Sequence, residues 1–88
     1  MLRVFKKIHM YATLKVSQPL STNVYVARTQ IVEHIHYLKN LLQAQKLGQT
    51  VTYPHRQLID SIVYYRLKLK NQNRIIREHE QLHFRFGG

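Results

Sequence analysis

The chain has no cysteine and no tryptophan, only three glycines and two prolines, and four acidic residues in 88. Each shortage excludes something. Without cysteine, neither disulfides nor thiolate metal sites can staple the fold. With so few helix breakers, long uninterrupted elements are expected. No run approaches the eighteen or more consecutive apolar residues of a membrane span, and no secretory hydrophobic segment is present. The acids are Glu33, Asp60, Glu78 and Glu80, so residues 1–32 contain none.

Fourteen Lys and Arg are present against those four acids, a formal net charge of +10. That balance points to a polyanionic partner: nucleic acid, an anionic membrane surface or an acidic protein. The chain does not read as a disordered tail, because 44% of its residues are hydrophobic. Eighty-eight residues allow one domain with a small core. A chain this small, basic and open is not expected to be an enzyme.

In the opening segment Leu2, Phe5 and Ile8 recur at helical spacing with Arg3, Lys6 and Lys7 between them. A basic, acid-free, amphipathic start has the character of a mitochondrial transit segment, which makes a mitochondrial location the expectation. A basic arm that lies on a partner gives the same pattern, and an uncleaved signal serving as a docking arm satisfies both. The sequence divides accordingly into a basic, partly extended arm over 1–22 and a helical domain over 23–88.

From Val24 to Leu47, apolar residues at Val24, Ala27, Ile31, Ile35, Leu38 and Leu42 follow the three-and-four spacing of an amphipathic helix. Thr22 or Asn23 can cap its start, and Gly48 can end it. A loop over 48–55 follows. A second helix is predicted from about 54 to about 81, with Leu58, Ile62, Tyr65, Leu69 and Ile76 along one face and Pro54 in its first turn. Two long helices joined by a short loop pack as an antiparallel hairpin, so the expected fold is all-α.

The second helix also carries a basic stripe. Arg66, Lys70 and Arg77 fall within about 40° of one another on the helical wheel, with Arg74 alongside, about a right angle from the apolar face. One face can pack on the first helix while the next meets phosphates. The six tyrosines show no arrangement favouring base stacking, so packing is the expectation for each.

His79-Glu80-Gln81-Leu82-His83 matches the H-E-x-x-H pattern and resembles the zincin metalloproteases over those five residues. Two imidazoles supply half of a tetrahedral shell, and a catalytic zinc needs a third protein ligand. Phe84 to Gly88 offer neither carboxylate nor imidazole. Within the chain Glu33 or His34 is the candidate for that ligand, if the hairpin brings the first helix alongside; a ligand from another chain is the alternative. The expectation is no catalytic residue, no metal and no cofactor.

A long helix, a loop and a long basic helix also resemble helical ribosomal proteins that clamp rRNA. In one small-subunit family two long helices flank an Asp-His-His-Ser loop followed by arginines. Here His55-Arg56-Gln57-Leu58-Ile59 and Arg66 occupy comparable places. The Asp-His-His-Ser signature is absent and the loop Thr50-Val51-Thr52-Tyr53-Pro54 differs, so no residue role is carried over. The expected function is that of a structural subunit of a large assembly, a mitochondrial ribosomal protein contacting rRNA and neighbouring proteins. Arg66, Lys70, Arg74 and Arg77, with Arg3, Lys6 and Lys7 from the arm, are the expected phosphate contacts. The rival expectation is a matrix-side accessory subunit of an inner-membrane respiratory or ATP-synthase complex, its basic surface near anionic lipid.

Overall fold

The computed structural model describes residues 12–86, with side chains through residue 82. Arg3, Lys6 and Lys7 lie outside the described residues. Two helices are present, α1 over Val24–Lys46 and α2 over His55–Phe86. They pack side by side as an antiparallel hairpin, and no strand occurs among the described residues.

Local chemistry sets the ends of α1. Asn23 takes an extended conformation, and its side-chain oxygen accepts from the amides of Tyr25 at 2.9 Å and Val26 at 3.1 Å. That satisfies two of the amides a helix start leaves without partners. At the other end Gly48 adopts φ of 85°. Its amide donates to the Gln45 carbonyl at 3.1 Å, and the Gln49 amide donates to Ala44 at 3.0 Å. The two bonds form a Schellman closure, which needs a left-handed residue at Gly48. α2 begins directly after Pro54, whose carbonyl accepts the first helical bond from Leu58 at 3.2 Å. It runs five residues beyond the expected end near 81, because nothing between Ile76 and Phe86 breaks a helix. Its 32 residues make a rod of about 48 Å.

The core lies between the two apolar stripes. Ile31, Ile35 and Leu38 of α1 meet Leu58, Ile62 and Tyr65 of α2, all buried. Ala27 and Ile76 are buried as well. Val24, Leu42 and Leu69 of the expected faces are only partly buried.

A third component completes this core. Residues 12–20, non-helical and bent at Ser17 and Gln18, lie against both helices, and Leu14, Val16 and Leu20 pack against the buried cluster. Side chains of the helices bind the backbone of this strap. Gln57 donates to the Ala12 carbonyl at 2.8 Å. The Leu14 amide donates to Ser61 Oγ at 3.0 Å and the Val16 amide to the Tyr65 hydroxyl at 3.1 Å. His34 Nε2 meets the Leu14 carbonyl. A carbonyl can only accept, so Nε2 carries the hydrogen. Farther along, Gln30 donates to the Pro19 carbonyl at 3.1 Å and accepts from the Ser21 amide at 2.8 Å. Ser61, 1% exposed, is the buried polar side chain of the core, and the strap amide is its partner.

Candidate polyanion-binding face

α2 presents a row of cations on one flank, about a right angle from the face that packs on α1. Arg66, Lys70 and Arg77 are all exposed. They lie in one row about 16 Å long. Among the described residues the ion pairs are Arg56–Asp60 at 3.2 Å and Arg74–Glu78 at 3.4 Å, each one helical turn apart. Neither involves Arg66, Lys70 or Arg77. Arg74, the fourth expected contact, is engaged differently: it donates to Asn71 at 2.7 Å and faces Glu78. Its charge is balanced on its own helix, which sets it apart from the other three.

Two further cations, Lys15 of the strap and Lys68 of α2, lie together away from this row. They line one cleft, together with Tyr64 and Tyr65. The alternation Leu14-Lys15-Val16-Ser17 was the signal available for this segment: apolar residues inward, polar residues outward.

The histidine-rich end of α2 is tied to the start of α1. The Tyr25 hydroxyl donates to Glu80 at 3.0 Å, and its ring meets His79 edge-on with centroids 6.1 Å apart. The bond to Glu80 holds the phenol proton and raises the Tyr25 pKa above its ordinary value, with smaller contributions from desolvation and from the Glu80 charge. Neither suggested third ligand comes near. Tyr25 is the α1 residue beside positions 79 and 80, and Glu33 lies about 12 Å farther along α1. The His34 ring is instead packed edge-on against Tyr65 at 4.6 Å, with Nε2 committed to Leu14. Among the described residues no three His, Asp or Glu side chains converge on a metal position. The His83 side chain lies outside the described residues. Also among them, no helix is long and apolar enough to cross a membrane.

Comparison with protein-family models, with curated proteins and with solved structures gives no match to this chain.

Proposed function

We propose that this chain is a structural subunit of a large ribonucleoprotein assembly, a mitochondrial ribosomal protein whose basic face neutralises rRNA phosphates. The observation that carries this reading is the exposed row Arg66, Lys70 and Arg77, which has no ion-pair partner among the described residues in a chain of net charge +10. The like charges of Arg66 and Lys70, four residues apart, cost an isolated helix a few tenths of a kcal/mol. Phosphates laid along the row reverse the sign of that term and release condensed counterions. The organellar part of the proposal rests on the acid-free amphipathic opening with Leu2, Phe5 and Ile8.

The mechanism is positioning. α1 and the strap pack against the apolar face of α2, and α2 offers charges to a backbone with no sequence preference. Structured RNA binding is expected to weaken linearly on a log–log plot against salt. Arg66→Glu with Lys70→Glu should flatten that slope by about one per lost phosphate contact while circular dichroism remains helical. Affinity independent of salt refutes the phosphate mechanism. In cell extracts the protein should follow rRNA and be released by nuclease plus salt; sedimentation with membranes and detergent-solubilised complexes refutes the ribosomal assignment.

A further inference from the structure

α2 has a face that neither the core nor the basic row uses. At about 100° per residue, Val63 and Leu67 point opposite the buried line of Leu58, Ile62 and Tyr65, with Tyr64 at the edge of the same sector. Val63, Tyr64 and Leu67 are 53%, 47% and 64% exposed, an apolar triangle on the outside of a small basic protein. The two ion pairs of the helix bracket it on the same face. Arg56–Asp60 stands before the triangle and Arg74–Glu78 after it.

The order of charges along this face is positive, negative, apolar, positive, negative. Arg56 and Glu78 are each eleven residues from Leu67, and Asp60 and Arg74 are each seven. Run in the opposite direction about Leu67, the pattern is its own complement. Arg56 falls opposite Glu78 of a second copy, and Asp60 opposite Arg74. Leu67 falls opposite Leu67. A parallel copy would instead set Arg56 against Arg56 and Asp60 against Asp60. An apolar centre with a charge-matched rim is the anatomy of a protein interface, and a self-complementary patch is what a two-fold dimer requires.

We propose that α2 docks against α2 of a second copy of this chain, antiparallel, about a two-fold axis passing at Leu67. The contact runs from Arg56 to Glu78, about 33 Å. The symmetry has a consequence for the basic row. A two-fold axis perpendicular to two antiparallel helices keeps the same flank of each on the same side. Arg66, Lys70 and Arg77 of both copies therefore form one continuous cationic bed. That consequence rests on the polyanion-binding reading; the dimer does not.

The test uses the full-length chain without nucleic acid, at moderate salt so that the net charge is screened. Sedimentation equilibrium of the wild type should show a monomer–dimer equilibrium with a dissociation constant on the order of micromolar to tens of micromolar, given the small apolar centre. Two charge-swapped chains then probe the register. One carries Arg56→Glu with Asp60→Arg, the other Arg74→Glu with Glu78→Arg. Each keeps its ion pairs within the helix in one order or the other, so each should retain wild-type helicity. Each alone sets like charges opposite one another and should be monomeric. Mixed, the two are complementary at all four charged positions and should form a heterodimer. A wild type that stays monomeric up to about millimolar, far above that range, overturns the proposal. So do swapped chains that self-associate as the wild type does, or a mixture that stays monomeric. RNA binding measured on the same proteins is a separate readout, so failure of the dimer and failure of the polyanion reading are distinguishable.

Discussion

Ser61 shows how a single side chain reports on an unforeseen part of the fold. A serine among leucines and isoleucines is out of place unless its hydroxyl has a partner. The Leu14 amide, 47 residues away in the chain, is that partner at 3.0 Å. Tyr65 makes the same kind of contact one turn later, its ring in the core and its oxygen on the Val16 amide. Ser61→Ala leaves the Leu14 amide without an acceptor while changing the core volume little. The cost should be about 1–3 kcal/mol. The measurable signs are a lower Tm and faster hydrogen exchange at Leu14 than at amides inside α1. An unchanged Tm together with unchanged exchange at Leu14 would show that the strap is not held through this hydroxyl. By contrast, Asn23 and Gly48 act within a few residues of themselves, and their roles as cap and stop were legible from the sequence.

The same division holds for whole elements. Both helices and their inward faces follow from spacing alone, because a 3.6-residue period is written in neighbouring positions. Ile31, Ile35, Leu38, Leu58, Ile62 and Tyr65 were all readable in that way and are all buried. The strap was not, because its partners Gln57, Ser61 and Tyr65 are more than forty residues away and its period-2 pattern covers only a few positions. The length of α2 was underestimated for a related reason. Apolar periodicity fades after Ile76, yet a helix continues until something stops it, and no glycine or proline occurs before Gly87. Of the candidate site, the row Arg66, Lys70 and Arg77 was visible on the wheel; the commitment of Arg74 to Asn71 and Glu78 required side-chain geometry. The difference between inner and outer faces makes a paired prediction. Ile62→Ala removes a buried side chain and should cost about 2–5 kcal/mol, enough to unfold much of so small a domain. Leu67→Ala, on the exposed face, should change monomer stability by less than about 0.5 kcal/mol. Thermal melts of the two at a concentration low enough to keep monomers should differ widely, and equal losses would mean that the helix faces are misassigned.

At the scale of the whole molecule the governing quantity is charge. Ten excess positive charges on 88 residues work against compaction of the free chain. Cations held in that position serve a partner better than they serve the fold, and this opposition can be measured at Lys70. Its neighbours one turn away are Arg66 on one side and Arg74 on the other, so the native residue meets two like charges at i−4 and i+4. Lys70→Glu turns both contacts from repulsive to attractive. The introduced carboxylate also stands N-terminal to Arg74, the better orientation for an ion pair on a helix. At a few tenths of a kcal/mol per pair lost and gained, the free protein should gain about 1 kcal/mol. For a domain of this size that raises Tm by about 4–8 °C. Affinity for structured RNA should fall in the same variant, since a phosphate contact has become a repulsion. Stability rising while binding falls is the signature of a charge kept for a partner. A lysine kept for folding predicts the opposite sign for the first effect. A lower Tm for Lys70→Glu, with RNA affinity unchanged, would mean that the row belongs to the fold of α2 and that the phosphate contacts lie elsewhere.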